Sequence, residues 1–324
     1  MTPARSSGSP RPGVVAVVGA TATGKSDLAV ELALRLGGEV VNADSMQLYR
    51  GMDVGTAKLD LPQRRGVPHH LLDVWDVREP ASVAVYQRLA RQAIADIADR
   101  GRLAVLVGGS GLYVRAVLDD IEFPGTDRTV RARLDEELAE LGPEALHARL
   151  AAIDPLAAAA ILPGNGRRVV RALEVVEITG ERFTASLPAY RYALPAVQVG
   201  LELPRADLDG RISDRVDRMW EGGLVEEVRR LERRGLREGR TASKALGYAQ
   251  VLRHLAGECS ADEARAETVQ ATRRFARRQD TWFRRDPRVR WLGADGTREL
   301  DARAEMAERL VGGLTGVAER PDPR

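Results

Sequence analysis

The sequence is poor in cysteine and aromatic residues and has no long hydrophobic run. Cys259 is the only cysteine among 324 residues, which excludes an internal disulfide bond and a paired-cysteine zinc site; we expect its side chain to be a small buried apolar group. The longest apolar runs, Val14–Val18 and Leu103–Val107, are far shorter than the roughly 20 residues of a membrane-spanning helix. Residues 1–12 lack the apolar stretch of a signal peptide and are predicted to be a disordered tail. A cytoplasmic protein is therefore expected.

Lysine is also scarce. Only Lys25, Lys58 and Lys244 among the 49 basic residues are lysines. In a chain that otherwise uses arginine, each of them marks a position where the compact ammonium group is expected to matter. The formal net charge of +2 neither requires nor excludes a polyanionic partner, so the distribution of the basic residues has to decide whether the chain binds nucleic acid.

The remaining composition is that of a globular protein, with 44% hydrophobic and 30% charged residues. Short apolar runs alternate with amphipathic stretches in the first 120 residues, which predicts a parallel sheet with crossover helices. Strand signals are absent from Asp127–Gly180, where Ala, Leu, Arg and Glu predominate between prolines. We predict a catalytic core formed by residues 13–120 and 197–315, a helical insertion domain at 121–196 and a second tail at 316–324.

The predicted elements of the core are short strands and longer helices. The predicted strands are Val14–Gly19, Glu39–Ala43, His70–Val74, Leu103–Val107 and Val197–Leu203. The predicted helices are Lys25–Leu36, Val83–Asp99, Leu208–Arg234, Ala242–Leu255, Ala261–Arg285 and the amphipathic stretch Arg298–Leu314. We expect the five strands to lie in one sheet.

The strongest motif lies between the first predicted strand and the first predicted helix, where Gly19–Ser26 matches the P-loop pattern G-x-x-x-x-G-K-[ST]. Backbone N–H groups of such a loop surround phosphate, the lysine adds a point charge, and the serine hydroxyl can coordinate Mg²⁺. We predict an α/β fold with a P-loop NTPase-like parallel sheet flanked by helices and an all-helical insertion domain. The predicted diphosphate- or nucleotide-binding residues are Gly19, Ala20, Thr21, Ala22, Thr23, Gly24, Lys25 and Ser26, with Ser26 as the Mg²⁺ ligand.

The carboxylate that a P-loop ATPase carries at the end of a buried strand is missing here, because Leu103–Val107 continues into Gly108–Gly111. We expect a second phosphate-contacting turn there. Asp44 instead follows the second strand, at the carboxyl edge where doubly wound sheets bind ligands. Asp44 is therefore a candidate general base toward an incoming nucleophile; an Asx turn at the strand end is the alternative.

Eight segments of the chain form a characteristic series. They are Gly19–Ser26, Asn42–Gln47, Tyr49–Lys58, Pro68–Asp73, Gly108–Tyr113, Arg171–Val175, Lys244–Tyr248 and Arg277–Trp282. In this order, over residues 13–293, the chain resembles the tRNA dimethylallyltransferases of bacterial type, or IPP transferases. The resemblance implies transfer of the dimethylallyl group of dimethylallyl diphosphate to the N6 amine of the adenosine at position 37, just 3′ of the anticodon, in tRNAs that read codons beginning with U. Diphosphate is released, and the P-loop would hold this leaving group.

The resemblance also implies roles for single residues. Asp44 would take the proton of the adenine amine, and Ser110 would lie near the adenine or the diphosphate, where most relatives have threonine. Arg215 would be a second diphosphate clamp beside Lys25; the alternative for Arg215 is an i,i+4 partner on a charged helix surface. The implied partners are the tRNA anticodon stem-loop and dimethylallyl diphosphate, with Mg²⁺ as cofactor and no obligate protein partner.

The basic residues are concentrated near the C-terminus. Arg265–Arg290 holds nine arginines against three carboxylates, interleaved with Phe275, Trp282 and Phe283. At helical spacing the arginines form two rows, which are predicted to contact RNA unless they are only a solvated face, whereas Phe275 and Trp282 form a stripe predicted to be core. Together with the resemblance, this gives the predicted tRNA-binding residues Asp44, Ser45, Met46, Gln47, Ser110, Arg131, Asn165, Gly166, Arg167, Arg168, Lys244, Gly247, Tyr248, Arg273, Arg274, Arg277 and Arg278.

Two other function classes remain open from the residues alone. An adenylate isopentenyltransferase acting on free nucleotides needs the P-loop and Asp44 but not Lys244–Tyr248 or the arginine-rich helix. A P-loop small-molecule kinase or a nucleic-acid-binding switch ATPase needs only the P-loop. His69 and His70 have no cysteine partners and are interpreted as structural rather than metal-binding.

Overall fold

The computed structural model describes residues 13–183, 187–293 and 299–314, so both predicted tails lie outside the described residues. The strands are β1 Val14–Gly19, β2 Gly38–Asn42, β3 His69–His70, β4 Leu103–Gly108, β5 Ala196–Leu201 and β6 Val289–Leu292. The helices are α1 Lys25–Leu36, α2 Val83–Asp99, α3 Gly111–Leu118, α4 Arg128–Ile153, α5 Pro155–Ala160, α6 Gly166–Thr179, α7 Arg205–Glu221, α8 Leu224–Glu232, α9 Tyr248–Leu255, α10 Ala261–Arg284 and α11 Leu300–Leu314, with a one-turn 3-10 helix at Ala242–Lys244.

One six-stranded parallel sheet organises the core, in the order β3-β2-β4-β1-β5-β6. The central strand β1 is buried along its whole length, as expected for an apolar strand covered on both faces. Apolar side chains of α1 and α11 cover one face, and those of α2, α3, α8 and α9 cover the other. The predicted α/β fold is confirmed. None of the helices that the structure describes is both long and apolar enough to span a bilayer.

The order of the strands brings the carboxyl ends of three neighbouring strands together at one edge of the sheet. β1, β2 and β4 are neighbours, and all three run in the same direction. Their carboxyl ends therefore bring three loops to one edge: the P-loop Gly19–Lys25, the segment Asn42–Gln47 and the turn Gly108–Ser110.

Two predicted helices are each interrupted at a glycine. The predicted helix Leu208–Arg234 is two helices, α7 and α8, because Gly223 adopts a left-handed conformation (φ 90°) at their junction. The predicted helix Ala242–Leu255 becomes regular only at Tyr248, since Gly247 has φ 85°. Helical periodicity continues through both breaks, so the sequence pattern alone does not reveal them.

Three short elements also differ from prediction. β3 contains only His69–His70 instead of His70–Val74, and the helix α3 begins at Gly111, the last residue of the glycine-rich stretch that predicted a turn. The edge strand β6 was not predicted, because its four residues include an exposed arginine and give no clear alternation. It nevertheless adds to β5 in parallel register.

Residues 120–191 form a compact unit separate from the rest of the chain. Apolar side chains of α4, α5 and α6 make its core, and Asp127 caps α4 by accepting from the N–H groups of Thr129 and Val130. Residues 192–195, which were predicted to belong to this insertion, bond to the core instead: Ala193 N donates to Leu118 O and Val14 N donates to Pro195 O.

Candidate active site

The P-loop forms an anion-binding cradle at the end of β1. Ala22 (φ 65°) and Gly24 (φ 91°) adopt left-handed conformations, and none of the side chains that the structure describes caps the N-terminus of α1. The free N–H groups of its first turn, together with the helix dipole, therefore favour a bound anion. Gly19 is required because a Cβ there would lie 2.6 Å from the carbonyl oxygen of Leu201 on β5.

Lys25 lies half-buried at the start of α1, and its Nζ donates to the carbonyl oxygen of Ala20. Thr23 Oγ1 donates to the same oxygen at 2.9 Å. Burial, and after it the neighbouring Arg215, lowers the pKa of Lys25 to about 7, although Asp44 acts in the opposite direction. Lys25 therefore lies within electrostatic range of both Arg215 and Asp44, and a bound anion would favour its charged form.

Asp44 follows β2 and is held by its neighbours. Its N–H donates to Asn42 Oδ1 at 2.9 Å, and its own Oδ1 accepts from Met46 N at 2.9 Å. The Asx turn considered as an alternative is therefore present. It engages only one carboxylate oxygen, and Oδ2 has no partner among the described residues, so the turn and a base role are compatible.

The turn after β4 packs against the segment Asn42–Gln47, which contains Asp44. A Cβ on Gly108 would lie 2.3 Å from Ala43 O, so this close approach requires glycine. Ser110 lies at the start of α3 without capping it, and its Oγ is 3.4 Å from both the N and the Oγ of Ser45. The hydroxyl of Ser110 is thus beside the loop that carries Asp44.

Gln279 of α10 links the P-loop to the turn after β4, and this link was not predicted. Its Oε1 accepts from Thr21 N and its Nε2 donates to Gly109 O, both at 2.9 Å, and the residue is 7% exposed. A Cβ on Gly109 would lie 2.2 Å from this amide nitrogen. The signal that could have indicated Gln279 is an uncharged polar residue on the buried side of an arginine-rich helix.

Arg215 of α7 reaches a loop distant in sequence. Its Nη2 donates to Thr56 O at 3.2 Å, and Gln47 Nε2 donates to the same oxygen at 3.2 Å. Burial lowers the pKa of Arg215, and Asp44 opposes this. Among the described residues its side chain forms no ion pair along its own helix, so the alternative of an i,i+4 surface partner does not apply.

The predicted RNA contacts of the Lys244–Tyr248 segment separate into two groups. Lys244 is exposed, whereas Gly247 is buried and Tyr248 is 0% exposed, with its hydroxyl donating to Glu227. The prediction that Tyr248 contacts tRNA is therefore wrong for this conformation, because no part of its side chain reaches solvent.

The four arginines of the two rows on α10 also differ in their surroundings. Arg273 is held by α7, since its Nη2 donates to Asp209 O and to Ser213 Oγ. Arg274, Arg277 and Arg278 are exposed. The last two line a surface groove of about 270 Å³ with Thr281, Trp282 and Arg285.

The aromatic stripe is only partly core. Phe283 is buried, and Trp282 is half-buried against the main core, with its indole where a Cβ on Gly111 would lie. Phe275 is half-buried beneath the guanidinium of Arg278, 5.7 Å from the ring centroid. Cys259, expected to be buried, is half-buried.

The insertion unit holds the other predicted RNA residues. Arg131 of α4 donates to the fully buried carboxylate of Glu174 on α6, which Arg171 also contacts. The guanidinium of Arg131 therefore joins α4 to α6 rather than extending into solvent. Asn165 caps α6 by accepting from Arg168 N at 3.3 Å. Arg167 and Arg168 are exposed. Gly166 is half-buried and packs closely against Leu138, since a Cβ at this position would lie 2.6 Å from a methyl carbon of that leucine.

The histidines and Ser26 bear on metal binding. His69 Nδ1 lies 2.8 Å from Val67 O, and burial lowers the pKa of His69; His70 Nε2 lies 2.6 Å from Glu39 Oε2. Both contacts fit a structural role. Over residues 13–183, 187–293 and 299–314 no cluster of three or more His, Cys, Asp or Glu side chains could hold a metal ion. The hydroxyl of Ser26 bonds to no group in this part of the chain and remains available as a ligand.

The chain matches two protein-family models, IPP transferase over residues 47–286 and isopentenyl transferase over residues 12–66. It is 66% identical over 309 residues to the tRNA dimethylallyltransferase of Streptomyces coelicolor, an alignment covering 94% of this chain and 99% of the relative. The corresponding protein of Thermobifida fusca is 67% identical over 293 residues, covering 89% and 92%.

Solved structures agree with this pattern. The tRNA isopentenylpyrophosphate transferase of Bacillus halodurans is 41% identical, with a TM-score of 0.67 over 94% of this chain and 99% of that chain. A eukaryotic dimethylallyltransferase acting on tRNA shares the fold at 24% identity, with a TM-score of 0.79 over 93% of this chain and 79% of that chain.

Proposed function

The chain belongs to the IPP transferase family, and we propose that it transfers the dimethylallyl group of dimethylallyl diphosphate to tRNA. The acceptor is the exocyclic N6 amine of the adenosine at position 37, in tRNAs that read codons beginning with U, and diphosphate is the leaving group. Because the proposed acceptor is tRNA, we place the enzyme in the cytoplasm. The relatives at 66% and 67% identity, which are tRNA dimethylallyltransferases, support this proposal.

The arrangement of charges fits the departure of diphosphate from an allylic carbon. When the bond from the allylic carbon to the diphosphate oxygen breaks, its electron pair leaves with the diphosphate, and the free N–H groups of α1, Lys25 and Arg215 stabilise the developing charge. The N6 nitrogen forms the new bond to carbon, and its proton passes to Asp44. An unshared carboxylate oxygen is sufficient for this step, because the amine becomes acidic only as the bond forms.

Mg²⁺ fits the site as a complex with the substrate's diphosphate. Mg²⁺ in such sites keeps several waters and takes few protein ligands, and the unbonded hydroxyl of Ser26 offers one. The bound ion would neutralise part of the diphosphate charge.

The observation that carries the proposal is that the loops carrying Lys25, Asp44 and Ser110 meet at one edge of the sheet, with Arg215 within electrostatic range of Lys25 and Asp44. This arrangement supports a site in which a leaving group and a proton acceptor lie together. A free-nucleotide isopentenyltransferase shares this site, but the family match over residues 47–286 favours tRNA as the acceptor. The similarity to these relatives does not support the alternative hypothesis of a small-molecule kinase.

The experiment that tests the function uses the purified protein, Mg²⁺ and dimethylallyl diphosphate labelled in its allyl group. The acceptor is bulk tRNA, AMP or none, and a tRNA with guanosine at position 37 is the matched control. We expect label in bulk tRNA only. Labelled AMP would instead indicate the free-nucleotide enzyme, and phosphate transfer from ATP without prenyl transfer would indicate a kinase.

Lys25 is expected to take up a proton when diphosphate binds. In the free protein its pKa is about 7, against an ordinary 10.5, and the negative charge of a neighbouring diphosphate shifts it upward. Between these two values the complex holds more protons than its components, so uptake should approach one proton at about pH 8.5. Calorimetry of dimethylallyl diphosphate binding in buffers with different ionisation enthalpies measures this number. Uptake that persists in Lys25→Arg would assign it to another group.

We propose that tRNA is bound by residues around the site and by exposed basic residues. Ser45, Met46, Gln47 and Ser110 lie beside Asp44 and are proposed to contact the adenosine. The exposed residues proposed to contact the RNA backbone are Lys244, Arg274, Arg277 and Arg278 in the core unit and Arg167 and Arg168 in the insertion unit.

The exposed arginines of α10 are expected to set the salt dependence of tRNA binding. Replacing Arg274 and Arg278 together by glutamine should weaken binding and reduce the slope of log K against log salt by about 0.7 for each lost single-strand phosphate contact. Arg273→Gln is the matched control, because Arg273 bonds to α7. Filter binding over a salt series measures the slopes. If the double variant kept the wild-type slope, these arginines would be only a solvated face.

A further inference from the structure

Glu227 of α8 is a buried carboxylate that binds a loop of the core. It is 1% exposed, and its oxygens accept from three successive backbone N–H groups: Asp53 N at 3.1 Å, Val54 N at 2.8 Å and Gly55 N at 3.1 Å. A run of amide N–H groups that converges in this way is a site for an anion. Here the protein supplies the anion itself, and hydrogen bonds of this charge-assisted kind are strong.

Tyr248 completes this carboxylate site. Its hydroxyl donates to Glu227 Oε1 at 2.5 Å, and its ring lies against Gly55, where a Cβ would be 2.5 Å from Tyr248 Cε2. Burial, followed by the charge of Glu227, raises the pKa of Tyr248, so the phenol stays protonated and remains a donor. Glu227 and Tyr248 together fix the position of the loop.

The next residue of the same loop connects this pair to the active site. Thr56 is anchored through its Oγ1, which donates to Met52 O at 2.7 Å. Its carbonyl oxygen accepts from Arg215 and from Gln47. This is the only hydrogen bond that Arg215 makes among the described residues, so the place of the Thr56 carbonyl determines where the guanidinium lies. The remaining N–H groups of Arg215 are available to a ligand.

We propose that Glu227 and Tyr248 are positioning residues that set Arg215 for the diphosphate through the loop Asp53–Thr56. The Lys244–Tyr248 segment thus serves the diphosphate side of the reaction through its tyrosine. This inference rests on the proposed function, in which Arg215 contacts the leaving group. It adds that the orientation of Arg215 depends on a buried hydrogen bond contributed by α8 and α9.

The test is a double-mutant cycle between Tyr248→Phe and Arg215→Ala. Tyr248→Phe removes one donor and keeps both the ring and the carboxylate. We expect it to weaken inorganic diphosphate binding about five- to tenfold, to raise KM for dimethylallyl diphosphate by a similar factor and to leave tRNA binding without diphosphate unchanged. In the Arg215→Ala background the same change should have almost no further effect, because the residue through which it acts is gone.

Two further variants keep the result interpretable. Tyr192→Phe is the matched control, because Tyr192 also bonds through its hydroxyl, to Gln198, but outside this loop; its affinity for diphosphate should equal that of the wild type. Glu227→Gln should resemble Tyr248→Phe with a larger effect, and thermal unfolding reports whether it folds. Additive effects in the cycle, an effect on tRNA binding alone, or wild-type diphosphate affinity in Tyr248→Phe would overturn the proposal. Absence of prenyl transfer by the wild type would refute the proposed function instead.

Discussion

Asp44→Asn is expected to bind dimethylallyl diphosphate normally and to lose on the order of 10²- to 10⁴-fold in kcat, the usual contribution of a general base. Asparagine keeps an oxygen that can accept from Met46 N, so the turn after β2 is preserved. At the position of Oδ2, however, an amide nitrogen replaces the oxygen that would accept the proton of the adenine amine. The chemical step should therefore fail while the site keeps its shape.

Single-turnover transfer to tRNA measures this loss without interference from product release. Asp60→Asn is the matched control, because Asp60 also accepts from a nearby backbone N–H, that of Gln63, and lies on an exposed loop away from the sheet edge. Its rate should equal that of the wild type. Full activity of Asp44→Asn would remove Asp44 from the role of base.

Lys25→Arg is expected to lower kcat/KM for dimethylallyl diphosphate at least about tenfold, which corresponds to ~1.4 kcal/mol of transition-state stabilisation. The lysine lies within the P-loop and points back at the carbonyl of Ala20. A guanidinium is larger and planar and prefers a flat bidentate partner, so it should not enter this ring of backbone groups. Charge is retained in the variant, and the loss therefore reports on shape.

Lys244→Arg provides the comparison, because Lys244 is an exposed lysine at the end of the 3-10 turn. Its affinity for diphosphate should be unchanged. Circular dichroism and thermal unfolding establish that Lys25→Arg is folded. Turnover close to that of the wild type in Lys25→Arg would mean that only positive charge is needed at this position.

Features encoded over a few neighbouring residues could be predicted from the sequence. The P-loop is one, since the pattern Gly19–Ser26 lies between an apolar run and an amphipathic run that become β1 and α1. Asp44 is another, because the end of an apolar strand locates the ligand edge of a parallel sheet. The alternation of apolar runs and amphipathic stretches likewise predicted a parallel sheet with crossover helices, but not the order of its strands.

Features that depend on contacts between distant residues could not be predicted. Gln279 bonds to residues 258 and 170 positions away, and Arg215 to one 159 positions away, so no local pattern identifies these bonding partners. The family motif around Tyr248 singled out this residue but did not show what its side chain does. A motif residue can be buried as easily as exposed. Arg131 illustrates the same point, since the carboxylate that binds it belongs to another helix.

The hydrogen bonds of Gln279 also have a consequence for biosynthesis. The P-loop is made early, with the first strand and helix, but the amide that ties it to the turn after β4 belongs to α10, near the end of the chain. Proteins are synthesised and begin to fold from the N-terminus. A growing chain therefore has the phosphate-binding sequence long before it has the finished cradle. The cradle is completed only when α10 docks, so a nascent or C-terminally truncated chain would lack the fully assembled form of the proposed diphosphate site.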